Sequence, residues 1–146
     1  MRVVLDSNIV FSAMLNQKSS IGDIILNSQD AFTFYACEYL REEIRDHKDK
    51  ILKITGYTEG EYADVEFLVY KQITFFSEST IPFEFWQKAA GFVRETDMQD
   101  ISFVALSLFL DIKLWTGDKA LVSGLAKKGF PNVITTQEVL QIRREI

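Results

Sequence analysis

Met1-Arg2-Val3-Val4-Leu5-Asp6-Ser7-Asn8 is the stretch that decides how this chain is read. Val3, Val4 and Leu5 form a short apolar run without alternation, the pattern of a strand buried on both faces of a parallel sheet. The run ends at Asp6. An amphipathic helical pattern follows, with Ile9, Val10, Ala13 and Met14 on one side. A carboxylate therefore stands where a central strand hands over to a helix. In open α/β sheets, ligands bind outside that carboxyl end. Asp6 is thus expected to found an acidic, metal-dependent site.

Outward from this start, strands alternate with helices. The first helix is expected to end near Leu15, and Ser20 to cap a second one carrying Ile21, Ile24, Ile25 and Leu26. Aromatic and β-branched residues make 32–36 a strand. A long helix is expected from Glu38, with Leu40, Ile44, Ile51 and Leu52 as its buried stripe, fading before Gly56. Thr58 and Glu61 form a capping-box pair for a helix carrying Val65, Leu68 and Val69. Residues 73–76 read as the third strand, and Pro82 opens a helix running to about Glu95. The stretch 97–100 breaks the pattern before an almost wholly apolar helix over 101–110. Residues 112–115 are the fourth strand, 116–118 a turn, and 119–128 a helix stopped by Gly129 and Pro131. A short strand at 133–134 precedes a last helix capped by Thr135 or Thr136. The alternation, without hairpin turns, predicts a single α/β domain over 1–146. Its architecture is three-layer α/β/α around a central parallel sheet of about five strands.

Composition narrows the function classes. Hydrophobic residues make up 47% of 146 residues, enough for a full core and too evenly spread for membrane spans. No secretory signal pattern opens the chain, and the single cysteine, Cys37, makes no internal disulfide. A cytoplasmic protein, without membrane association, is expected. The net charge of −5 argues against tight nucleic-acid binding by phosphate neutralisation alone. It leaves open an enzyme that grips phosphates through divalent cations. His47 is the only histidine, and there is no Cys/His spacing for zinc.

The chemistry lies in the carboxylates. Singly, each has an ordinary explanation: Asp6, Asp97, Asp100 and Asp118 as helix caps, Glu43 as an exposed helical residue. Their joint placement says more. In a parallel α/β sheet, helices that follow strands start at the carboxyl edge, and so do the helix N-termini leading into the next strands. Asp6 follows the first strand, and Glu43 lies early in the helix after the second. Asp100 opens the helix leading into the fourth strand, and Asp118 follows that strand. All four are expected at one edge. Clustered carboxylates repel, and burial raises their pKa values. A divalent cation turns that cost into attraction, and hard oxygen ligands suit Mg2+ or Mn2+.

These segments resemble the motifs of the PIN-domain nucleases, including the toxin-type, VapC-like ribonucleases. Leu5-Asp6-Ser7-Asn8 is similar to the family's opening, and Tyr39-Leu40-Arg41-Glu42-Glu43-Ile44 to its second acidic motif. The run from Asp97 to Leu106 resembles the third, and Trp115-Thr116-Gly117-Asp118-Lys119 the fourth. The resemblance implies a PIN-like five-stranded parallel sheet, Mg2+ or Mn2+, and endonucleolytic hydrolysis of RNA leaving a 5′-phosphate. It implies, for many members, the toxin role in a toxin–antitoxin pair, and homodimers. By position, Asp6, Glu43, Asp100 and Asp118 carry the acidic quartet, as catalytic residues and metal ligands. Glu43 is preferred to Glu42 because it precedes Ile44 and follows buried Leu40 by three residues. Asp97 is either the N-cap of its helix or a further acid of the site. Ser7 and Asn8 are placed to hydrogen-bond Asp6 or a phosphate oxygen, Ser7 equally to be an ordinary helix start. Lys119 is a substrate-side or supporting residue.

Two rival readings remain. A haloacid-dehalogenase-like phosphatase also begins with an apolar strand and Asp, with Asp6 as nucleophile and Lys119 in support. Its pattern wants a second Asp two residues on, where this chain has Asn8. The other rival is a PIN-like module that binds RNA or protein without cutting. Trp86, Trp115 and the phenylalanines are expected in the core, and Lys48, Lys50 and Lys53 on a solvated helix face.

Overall fold

The computed structural model describes all residues from Met1 to Ile146. Five parallel strands, β1 (Arg2–Leu5), β2 (Thr33–Cys37), β3 (Ile73–Phe76), β4 (Lys113–Trp115) and β5 (Val133–Ile134), line up in the order β3-β2-β1-β4-β5. β1 is therefore central. The sheet grows to one side through β2 and β3, then returns to β1's other edge as β4. The carboxyl ends of β1 and β4 frame the point where the winding reverses, the usual ligand crevice of such sheets. Leu5 pairs with Trp115, and the Asp6 N–H donates to the Trp115 carbonyl at 3.3 Å.

Nine helices cover the two faces: α1 (Ser7–Leu15), α2 (Ser20–Asn27), α3 (Tyr39–Asp46), α4 (Lys48–Thr55), α5 (Glu59–Tyr70), α6 (Phe83–Val93), α7 (Ile101–Leu110), α8 (Lys119–Lys127) and α9 (Thr136–Arg144). α1 packs against α2, α3, α4 and α5, and α9 reaches α2. α7 lies on β1, β2 and β4 and against α6, which in turn meets α8. The result is a three-layer α/β/α sandwich. α7 is apolar nearly all round because it is enclosed all round. Ser102 through Ser107 are buried, and a helix with no solvent face needs no polar stripe.

Several sequence expectations need correction. Ser19, not Ser20, caps α2: its Oγ accepts from the Gly22 N–H at 3.1 Å. The long helix expected from Glu38 is two helices, broken at His47. A continuous stripe through Leu40, Ile44 and Ile51 would need an apolar residue at 47 or 48, where the chain has His47 and Lys48. The chain bends there and both helices wrap α1, with the His47 ring edge-on to Phe11. α5 buries Tyr62 and Val69, while Leu68 is exposed. Phe67 and Phe83 also face solvent, unlike the other phenylalanines, which lie in or against the core. The strand β2 sits one residue later than expected, and β4 begins at Lys113. The Thr58–Glu61 capping box is formed, and Thr135 makes a second one with Glu138. α8 ends in a Schellman turn: Gly129 adopts φ 78°, and the Phe130 N–H bonds the Leu125 carbonyl.

Candidate active site

The site begins with the handover from β1 to α1. Asp6 is extended (φ −83°, ψ 167°) and caps α1, its Oδ1 accepting from the Ile9 N–H at 3.0 Å. It is also buried to 2% exposure, far more than a cap requires. Burial pushes its carboxyl up to about 6, and the neighbouring Asp118 charge adds to this. The Thr116 hydroxyl and the backbone N–H groups of Ile9 and Asn8 oppose the rise.

Glu43 comes to Asp6 from α3. Leu40 and Ile44 are buried, so residue 43 is carried to the inner margin of the helix while Glu42 is exposed. Ser7 Oγ donates to Glu43 Oε2 at 3.2 Å. The other oxygen, Oε1, is buried without any hydrogen-bond partner. Burial raises the Glu43 carboxyl to about 7, with the Asp6, Asp97 and Asp46 charges adding and the Ser7 hydroxyl opposing.

Asp100 ends a 3-10 turn (Met98–Asp100) and immediately precedes α7, yet its side chain makes no capping bond. Asp97 does the capping, its Oδ1 accepting from the Gln99 N–H at 2.9 Å. Burial raises Asp100 to about 7, and every neighbouring charge that adds to it is a carboxylate: Asp97, Asp6, Asp118 and Glu43. Asp118 caps α8 through the Ala120 and Leu121 N–H groups, at 3.0 and 3.1 Å.

Asp100 thus lies within electrostatic reach of Asp6, Glu43 and Asp118, and Asp6 within reach of Glu43 and Asp118, at one edge of the sheet. Asp97 stays at the rim as a cap that contributes charge. Asn8 gives a backbone N–H to Asp6 while its side chain faces solvent. Ser7 bonds Glu43 rather than Asp6. Lys119 is exposed and lines a separate groove with Thr116, Thr135 and Thr136. Sequence reasoning missed Thr116. This residue is buried, touches Asp6, and its Oγ1 accepts from the Asp118 N–H at 3.1 Å. The pairing of Leu5 with Trp115 brings residues 6 and 116 side by side. Only the strand order reveals this, although a hydroxyl directly after a buried strand was a visible hint.

As the side chains stand, no three acidic or imidazole groups close on one point suited to an ion. The donor set is nonetheless all hard oxygen, without a cationic partner among the four. The orphaned Glu43 Oε1 and three raised carboxyls mark a place short of positive charge. These features fit a divalent cation.

The three-layer α/β/α sandwich around a five-stranded parallel sheet is a PIN-like fold. The chain belongs to the PIN-domain family of nucleases, whose family model, described as PIN domain, matches residues 4–143. This family generally depends on divalent metal. The fold is similar to a chain of the crystal structure of VapBC2 from Rickettsia felis bound to a DNA fragment from their promoter. The TM-score is 0.65 at 13% identity, over 92% of this chain and 97% of that one. No curated protein matches the chain. The family match displaces the phosphatase reading, which also lacked its second Asp. No helix is long and apolar enough to cross a membrane.

Proposed function

We propose that this protein is a Mg2+- or Mn2+-dependent endoribonuclease acting as the toxin of a toxin–antitoxin pair. The observation that carries the reading is the convergence of Asp6, Glu43, Asp100 and Asp118, three of them with raised carboxyls, around the β1–β4 crevice. A bound divalent cation supplies charge neutralisation for a phosphodiester and activates water for attack. Asp6 and Asp100 would be its principal ligands, with Asp118 completing the oxygen set. Glu43, held by Ser7 through Oε2, has Oε1 free either to join that oxygen set or to accept a proton from the attacking water. Thr116 fixes the Asp6 carboxyl and the Asp118 backbone together, setting the separation of two ligands. The likeness to VapBC2 supports an antitoxin protein as partner.

The test is cleavage of single-stranded and structured RNA by the purified protein with Mg2+ or Mn2+, abolished by chelator. Cleavage should leave a 5′-phosphate. RNA binding without cleavage under every metal condition would favour the non-catalytic module, and a phosphoryl group trapped on Asp6 the phosphatase. A small reading frame abutting the gene supports the toxin role.

A further inference from the structure

Three grooves border the acidic edge, and their charges differ. One of about 650 Å³ runs along α8 from Asp100 and Asp118 to Lys127 and Lys128, with Glu95 and Asp97 on its far wall. One of about 510 Å³ shares Ser123 with it, and is lined by Lys119, Thr116, Thr135 and Gln137 without any carboxylate. One of about 460 Å³ lies beyond the 3-10 turn of Asp100, with Glu38, Glu42 and Glu78 and no lysine or arginine. The helix between the first two shares its lack of acids with α1 and α7, but those two are largely enclosed while α8 has an exposed face. α8, Lys-Ala-Leu-Val-Ser-Gly-Leu-Ala-Lys, contains no acid, in a protein with 21 Asp and Glu. Its outward residues include Ala120, Ser123 and Ala126, all small and exposed.

We infer that α8 is the track along which the RNA strand lies, with Lys127 and Lys128 as substrate-positioning residues remote from the cut. This rests on the nuclease reading above. A polyanion reaching the four acids is repelled by the groove of Glu38, Glu42 and Glu78, and by the Glu95–Asp97 wall. The α8 wall is the approach that offers cations. Small side chains let the backbone come close. Lys128 is held by Glu95 at 3.6 Å, but Glu95 is mostly exposed, so the pair yields to a phosphate at little cost. From Asp118 to Lys127 the helix rises about 14 Å at 1.5 Å per residue. A stacked strand rises about 3.4 Å per nucleotide, so the span takes about four nucleotides on one side of the scissile bond.

The experiment compares wild type with the Lys127→Gln/Lys128→Gln double variant, using a 12-nucleotide single-stranded RNA. Binding is read by fluorescence anisotropy in chelator across a salt series, and cleavage by steady-state kinetics with Mg2+. The track predicts roughly tenfold weaker binding, and a salt slope shallower by about 1.4, from two lost phosphate contacts at about 0.7 each. KM should rise while kcat changes less than twofold. A Glu38→Gln/Glu42→Gln variant should bind no more weakly than wild type. Wild-type affinity and slope in a lysine variant of a protein that cleaves RNA would overturn the track and leave the nuclease reading standing. So would weaker binding by the glutamate variant. A folded wild-type protein that neither binds nor cleaves RNA removes both.

Discussion

Ser7 Oγ donates to Glu43 Oε2 across 3.2 Å and so ties the first turn of α1 to α3. The bond spans 36 residues of sequence, and it leaves Glu43 Oε1 as the free, buried oxygen of the pair. It stabilises the ionised carboxylate against the burial and acid charges that raise Glu43 to about 7.

Ser7→Ala should therefore raise the Glu43 pKa further. A base must be ionised to work, so the acidic limb of the pH–rate profile should move to higher pH. The expected shift is on the order of half a unit to one unit, the effect of one hydrogen bond. Activity at pH 7 should fall several-fold and recover near pH 9. A uniform loss with an unmoved limb would show that Ser7 does not act through Glu43.

The choice between neighbouring glutamates gives the sharpest test of the site. Glu43→Gln should lower kcat by about 10²-fold or more, the usual range for a lost general base. Glu42→Gln should stay within about twofold, because surface changes away from a site rarely matter. The opposite ranking would mean that Glu42 turns into the site when substrate binds.

Asp100→Asn separates charge from capping, because Asp100 makes no capping bond and Asp97 does. The folded-state pKa of Asp100 is near 7, above its usual 3.8. Between those values the folded protein binds more protons than the unfolded one, so stability from this group falls as pH rises through the window. Above about pH 7 the full repulsion is present; below about pH 4 none is. The variant should be more stable than wild type at pH 8 by on the order of 1 kcal/mol, discounted for partial exposure. That advantage should shrink toward zero near pH 4. Urea unfolding at both pH values checks it; a constant difference would point to packing rather than charge.

Mg2+ should raise the melting temperature of wild type, since a ligand that binds only the folded state stabilises it. The rise should be smaller in Asp6→Asn and in Asp100→Asn. Asn caps nearly as well as Asp, so a pure capping role for Asp6 predicts equal metal responses in wild type and Asp6→Asn. Differential scanning fluorimetry with and without the cation discriminates the two.

Much of the architecture was legible because local signals agreed with the global fold. The unbroken apolar run of β1, the capping box at Thr58 and the glycine stop at Gly129 each follow from short-range chemistry. Where the reading failed, the deciding force was tertiary. The bend at His47 exists because two short helices embrace α1, and Phe11 takes up the imidazole edge. Ser19 beats Ser20 as a cap because one residue of register decides which hydroxyl reaches Gly22. At the candidate site, the edge could be deduced from alternation alone, but the sideways neighbours could not. Thr116 stands by Asp6 only because β4 pairs with β1, and no periodicity encodes which strands pair.

The central position of β1 has a consequence for motion. The Asp6 amide is hydrogen-bonded to Trp115 at the carboxyl end of the strand flanked by β2 and β4. Opening that bond means parting the middle of the sheet, so its hydrogen exchange should follow global unfolding rather than local fluctuation. Asp6 is thus expected in the slowest-exchanging part of the molecule. The 3-10 turn of Asp100 and the exposed face of α8 are anchored at the periphery. Under the nuclease reading, any adjustment to a substrate is expected at those outer pieces and not at Asp6.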